Sequence, residues 1–183
     1  MAIKIDDVRN DILTQLDALS APLDPAAPGT AVILAAGHGK RIRSETSKML
    51  HQIWGRPTVV RVADAARQGL GPGSNEVIVV GIQALDVARA AGRMERRAFA
   101  YQPEQIGTGD AVRVGLNAFP NGVYQGNIYV FPGDMGLLTA AALTHQPVGD
   151  FVHQHRIAFV VCQLREDIRT DDEVSAFVVD KYR

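Results

Sequence analysis

Several things are scarce in this 183-residue chain, and each scarcity removes a class of protein. Cysteine occurs once, at Cys162, so no intrachain disulfide can form, which fits a reducing compartment. Within "IAFVVCQL", Cys162 reads as a small buried apolar residue. No apolar run approaches the roughly 20 residues of a membrane span. The N-terminal "MAIKIDDVRNDILTQL" carries acids throughout and lacks the apolar core of a signal peptide, so the expectation is a soluble, cytoplasmic protein. Charge of one sign is also missing, because the formal net charge is −1. Any attraction to an anion must therefore be local. Aromatics make up only 6% and do not interleave with a basic stripe, which argues against nucleic-acid binding. The histidines His145, His153 and His155 have no familiar ligand spacing, and no acid or cysteine pattern joins them.

What is present is an ordinary globular apolar content of 46%. Ile5, Val8, Ile12, Leu16 and Leu19 recur at helical spacing, which predicts an amphipathic helix over 1–19. Such a helix either packs on the main domain or joins this chain to a second copy. "SAPLDPAAPG" follows, and its prolines and glycine make 20–29 a linker. From Thr30 onward, short uninterrupted apolar strands alternate with helices. "TAVILAAG", "NEVIVVG", "RAFAYQ" and "NIYVFPGD" read as strands. "TVVRVADAARQG", "ALDVARAAGR" and "GDAVRVGLNAF" read as helices between them. That alternation predicts an α/β fold: a Rossmann-like, mostly parallel sheet with helices on both faces. Past Leu143 the period is lost, although "RIAFVVCQL" and "SAFVVDKYR" look like strands.

The stretch "AVILAAGHGKRIRSETSKML" ends a buried strand in a glycine-containing loop with Lys40, Arg41, Arg43 and Lys48 close together. In an open α/β sheet, ligands bind beyond the carboxyl ends of the strands. Glycines there permit close backbone approach, and exposed N–H groups form an anion site. Arg41 offers a planar fork for phosphate oxygens and Lys48 a point charge. The pattern is neither a P-loop nor a dinucleotide fingerprint. At another strand end, "YQPEQIGTGDA" supplies Gln102, Gln105 and Thr108 as neutral donors and acceptors, with Gly107 and Gly109 leaving room for a flat ligand. "YVFPGDM" places Asp134 just beyond a buried strand, where it is either a turn residue or a ligand for a hard divalent cation beside phosphates. Trp54, between Ile53 and "GRP", reads as a packing residue.

"LAAGHGKRIRSETSKMLHQIWGRP", "QPEQIGTGDA" and "FPGDMGLLT" together resemble the three leading motifs of the sugar nucleotidyltransferases. The nearest likeness is to the uridyltransferase domain of N-acetylglucosamine-1-phosphate uridyltransferase, whose second motif runs Q-x-E-Q-L-G-T-G-H-A. The resemblance covers about 31–143 and makes 30–183 a nucleotidyltransferase-like domain. It implies that Leu34, Ala35, Gly37 and Gly39 frame the nucleotide through backbone contacts. It implies further that Arg41 and Lys48 hold the triphosphate, that Gln102, Gly107 and Thr108 meet the pyrimidine, and that Asp134 ligates Mg²⁺. The implied reaction passes UMP from UTP to a sugar-1-phosphate and releases pyrophosphate.

Lys40 stands where the family usually has threonine, and Met135-Gly136 replaces a hydrophobic-proline pair. The family's sugar-binding segments have no match after Leu143. Two readings of that stretch stay open: loops absent between Leu143 and Arg183, or a shortened relative with weakened or lost sugar binding. Beside the uridyltransferase expectation stand a pyrophosphorylase using dTTP or CTP, and a nucleotide-binding regulatory or partner-binding protein with a degenerate acceptor site.

Overall fold

A computed structural model describes residues 5–37, 46–122, 124, 126–144 and 160–162. Helix α1 (Ile5–Leu19) is followed by strand β1 (Gly29–Ala35). A short 3-10 turn at Lys48–Leu50 leads into a small hairpin, β2 (Gln52–Ile53) and β3 (Arg56–Pro57). Then come α2 (Thr58–Leu70), β4 (Asn75–Val80), α3 (Ala84–Ala91), β5 (Arg97–Tyr101), α4 (Thr108–Leu116) and β6 (Asn127–Pro132). The short helix α5 (Ala140–Thr144) and strand β7 (Val160–Cys162) complete the described elements. The strand of "SAFVVDKYR" and the side chain of Cys162 lie outside the described residues.

The main sheet has the order β5-β4-β1-β6-β7. The first four strands are parallel, and β7 pairs antiparallel with β6. Every residue of β4 is buried, as are all but Leu34 in β1. Strands covered on both faces need no polar alternation, which is why they read as continuous apolar runs. On one face, Val59, Val62 and Ala66 of α2 and Val87 of α3 pack on Ile33, Ile78 and Phe131. On the other face, Ala111, Val112 and Leu116 of α4 pack on Val32, Val77 and Val130. Phe119 and Tyr124 extend that second core, their rings stacked 4.6 Å apart.

Helix α1 lies on the first face, with Leu16 buried and Ile12 and Leu19 packed beside it, while Val8 and Leu13 stay exposed. The segment after it serves the sheet edge. The Ala21 N–H donates to the Arg97 carbonyl at 2.7 Å, and the Phe99 N–H donates to Ser20 Oγ at 3.0 Å. An edge strand otherwise presents unpaired backbone groups, and this segment covers part of that edge.

Candidate active site at the switch point of the sheet

The chain leaves β1 toward β4 and β5, then returns across the sheet to β6 on the other side of β1. The order reverses at the β1/β6 pair, so their carboxyl ends open a crevice, the usual ligand site of such a sheet. Of the residues expected from the sequence to act on the nucleotide, Leu34 and Ala35 end β1, Lys48 and Asp134 pair beside them, and Gln102, Gly107 and Thr108 follow β5.

On the β1 side, the Leu34 carbonyl accepts the Gly133 N–H at 2.9 Å, tying β1 to the turn after β6. A Cβ on Gly133 would sit 2.9 Å from that same carbonyl oxygen and from Met49 Sδ. Only glycine fits so close a crossing. Ala36 turns its carbonyl to Gln105 Nε2 at 2.7 Å, so Gln105 braces the loop. A Cβ on Gly37 would meet nothing within 4 Å among the described residues. Gly39 and Arg41 lie outside the described residues.

On the β6 side, Gly133 and Asp134 form a turn closed by the Met135 N–H on the Pro132 carbonyl at 3.2 Å. Asp134 is therefore a turn residue, and its exposed carboxylate also reaches over the crevice to pair with Lys48 Nζ. Lys48 is held by its backbone as well. Thr58 Oγ1, at the start of α2, donates to the carbonyls of Lys48 and Met49 at 3.0 and 3.1 Å. The preceding Ser47 caps the turn by accepting from the Met49 N–H, and its own N–H donates to Gln83 Oε1 at 2.6 Å. Gln83 adopts φ 55° and ψ 37°, a left-handed conformation that side chains other than glycine's rarely take. Strain of this kind persists only where surrounding contacts enforce it. Three loops of the sheet thus converge on one lysine. Arg61 Nε donates to the Gly136 carbonyl at 2.6 Å and steadies the chain just after Asp134.

At the end of β5, Gln102 is buried and its Nε2 donates to Asp110 Oδ2 at 2.7 Å. Gly107 precedes α4 with φ 146°, and Thr108 begins the helix. The Gln102 amide foremost, and Arg113 with it, hold the Asp110 carboxyl below the usual carboxylate range against the opposing effect of its desolvation.

Two expectations need correction or restriction. Trp54 is not a core residue: it occupies the hairpin tip at φ 51° beside Gly55 at φ 75°, and is 79% exposed. A two-residue turn with both φ values positive throws the ring outward. The Arg61 guanidinium lies over it, 4.8 Å from the ring centroid. His145, His153 and His155 lie outside the described residues. Among the described residues no group of three or more His, Cys, Asp or Glu could hold a metal, and no helix is long and apolar enough to cross a membrane. Among the described residues, Asp134 is the carboxylate that stands beside the crevice as a candidate cation ligand. Its chemistry suits that: it is a hard oxygen donor already holding a positive charge in the crevice.

Sequence reasoning missed Gln83, Ser47 and Asp110 as parts of the site. The Ser47–Gln83 contact spans 36 positions, and no local pattern announces it.

A family model for the MobA-like NTP transferase domain matches residues 31–165. The chain belongs to the MobA-like NTP transferase family. Proteins similar to it include the bifunctional protein GlmU of Rubrobacter xylanophilus, 42% identical over 135 residues, which cover 74% of this chain and 26% of that one. GlmU of Thermoanaerobacter pseudethanolicus is 40% identical over 113 residues, covering 61% and 23%. The chain thus spans about a quarter of the length of the curated relatives it matches. A nucleotidyl transferase from Methanothermobacter thermautotroptrophicus shares the fold, with a TM-score of 0.54, 20% identity and coverage of 63% of this chain and 54% of that one. Rv0371c from Mycobacterium tuberculosis H37Rv does so with a TM-score of 0.51, 24% identity and coverage of 64% and 58%. The NTP transferase fold here is the α/β architecture expected from the alternating strands and helices.

Proposed function

We propose that this chain transfers UMP from UTP to a sugar-1-phosphate, N-acetylglucosamine-1-phosphate or a close analogue, and releases pyrophosphate. The observation that carries the reading is the Lys48–Asp134 pair at the switch point, a cation and a carboxylate facing each other across the crevice. The likeness of "QPEQIGTGDA" to the uridyltransferase motif supports the choice of UTP and of an amino-sugar phosphate as acceptor.

In this reading, Leu34, Ala35, Gly37 and Gly39 line the nucleotide with backbone. Arg41 and Lys48 bind triphosphate oxygens, Arg41 through a planar fork and Lys48 as a point charge. Gln102, Gly107 and Thr108 meet the base. Asp134 holds a divalent cation, Mg²⁺ by preference, whose contribution when bound is to neutralise phosphate charge. An oxygen of the sugar phosphate, already ionised near neutral pH, forms a bond to the α-phosphorus of UTP. The bond from that phosphorus to the bridging oxygen breaks, and pyrophosphate leaves with the electron pair. No proton needs removal, so no general base is required. Catalysis is positioning together with charge stabilisation by Lys48 and Arg41. The Lys48–Asp134 pair is partly exposed, and such pairs contribute only about 0–1 kcal/mol, so incoming ligands can separate the two charges at little cost.

The test is pyrophosphate release with Mg²⁺ across nucleoside triphosphates and sugar-1-phosphates, comparing the wild type with Asp134→Asn. The wild type should turn over with UTP, and the variant should lose at least about a hundred-fold while unfolding at the same temperature. Activity of Asp134→Asn within a few-fold of wild type would remove Asp134 from the reaction. Tight UTP binding without pyrophosphate release by the wild type would instead favour a nucleotide-binding regulatory protein.

A further inference from the structure

Gln102 is 3% exposed, so the direction of its amide matters to anything that docks at the end of β5. Its Nε2 donates to Asp110 Oδ2 at 2.7 Å, and Arg113 Nη2 donates to Asp110 Oδ1 at 2.6 Å. An ionised carboxylate has only acceptors. Asp110 remains ionised because Gln102 and Arg113 keep its pKa low. The group that Gln102 turns toward it must therefore be the NH₂ end. Charge thus settles an orientation that is otherwise two-fold ambiguous for an amide. Oε1 is the amide's remaining acceptor, and no hydrogen bond from a described residue occupies it.

We propose that Asp110 sets the base specificity of this site by locking Gln102 with its carbonyl outward. The site then takes a base that offers a ring N–H beside a carbonyl oxygen, and rejects one that offers a bare ring nitrogen beside an amine. Uracil, thymine and guanine have the first edge; cytosine and adenine have the second. Against the first edge, Oε1 accepts the ring N–H and the remaining Nε2 hydrogen meets the carbonyl. Against the second edge, Oε1 faces a lone pair. An unlocked amide would simply turn over to suit cytosine. Here that turn would set Oε1 against a carboxylate oxygen, and leaving buried polar groups unpaired discriminates more strongly than adding a contact. Asp110 stands where the motif of the resembling family has histidine, so this lock is a feature of this chain's own residues.

This inference rests on Gln102 facing the nucleobase, as the proposed function has it. The experiment is titration calorimetry with UTP, dTTP, GTP, CTP and ATP in Mg²⁺, for the wild type, Asp110→Asn and Gln102→Ala. The wild type should bind UTP about ten-fold or more tightly than CTP, and GTP more tightly than ATP. In Asp110→Asn, Arg113 keeps the Oδ1 oxygen, so the new amide presents its NH₂ to Gln102, which turns over. The UTP-to-CTP ratio should then fall about ten-fold or more. A role of Asp110 confined to holding α4 would weaken both nucleotides equally, and an unchanged ratio overturns the proposal. Should Asp110→Asn fail to fold, Asp110→Ser makes the same test, because Gln102 is then free to turn over and the ratio should fall likewise, while Gln102→Ala, with UTP and CTP bound alike, checks that Gln102 meets the base. A wild type that binds nucleotides without this preference overturns the lock but leaves the nucleotide site standing. A wild type that binds none of the five overturns both.

Discussion

Two ion pairs sit at opposite ends of the sheet and do different work. Lys48–Asp134, at the carboxyl ends, is partly exposed and open to exchange for ligands. Arg97–Glu76, at the amino ends of β5 and β4, is sealed, with both side chains no more than 3% exposed. Arg97 is well satisfied, since its guanidinium also donates to the carbonyls of Ala91 and Gly92. Glu76 is not, because its Oε2 has no partner among the described residues. Burial raises the Glu76 pKa above its ordinary 4.5, and Arg97 offsets only part of that. A raised native pKa means that the folded state holds the proton more tightly than the unfolded chain. The stabilisation is complete below the ordinary value and is lost as pH rises through the raised one. Glu76→Gln removes this titration. Its stability relative to wild type should therefore improve as pH rises above the ordinary carboxylate range, measured by urea unfolding at each pH. A stability difference that stays constant over that rise would show that Glu76 titrates in the fold as it does in the unfolded chain.

At the scale of elements, the site depends on how closely the strand ends approach. Gly81 follows β4, and a Cβ on it would lie 2.8 Å from the Ala36 carbonyl oxygen, 2.9 Å from Ala36 Cβ and 3.0 Å from the Gln102 carbonyl oxygen. Two of those neighbours are backbone and cannot swing away. Gly81→Ala must part the β1 loop from the end of β5, so it should destabilise the protein by about 1–3 kcal/mol and weaken nucleotide binding more than substitutions on the outer helices do. Chemical unfolding alongside calorimetry would check both, and unchanged values for either would show that the strand ends have slack. The strands around this junction are readable in sequence because burial on both faces makes them unbroken apolar runs, and α2, α3 and α4 because their buried residues recur at helical spacing. The β2–β3 hairpin and α5 escape that reading because pieces of two and five residues carry no period. Trp54 was misread for a related reason. Its apolar neighbour suggests packing, but the turn geometry, set by Trp54 and Gly55 together, puts it on the surface.

At the scale of the whole molecule, the sheet order turns separate motifs into one site. Lys48 and Asp134 are 86 positions apart, and in the sequence each stands out only singly, in its own motif. Their direct pairing is not legible, because it depends on β6 returning to the side of β1 away from β4. The same holds for Gln83, whose contact with Ser47 exists only once β4 lies beside β1. The amino ends of the strands carry the sealed Arg97–Glu76 pair and the Asn75 bonds to Asp24 and Thr30, which makes that end a fixed base. The opposite end is where, as proposed above, a nucleotidyl group is joined to a sugar phosphate. Phosphorus NMR of the products from UTP, N-acetylglucosamine-1-phosphate and Mg²⁺ tests it most directly. The coupled resonances of a diphosphate diester should appear together with pyrophosphate, both absent when the sugar phosphate is withheld. Orthophosphate, or UMP formed without an acceptor, would contradict it.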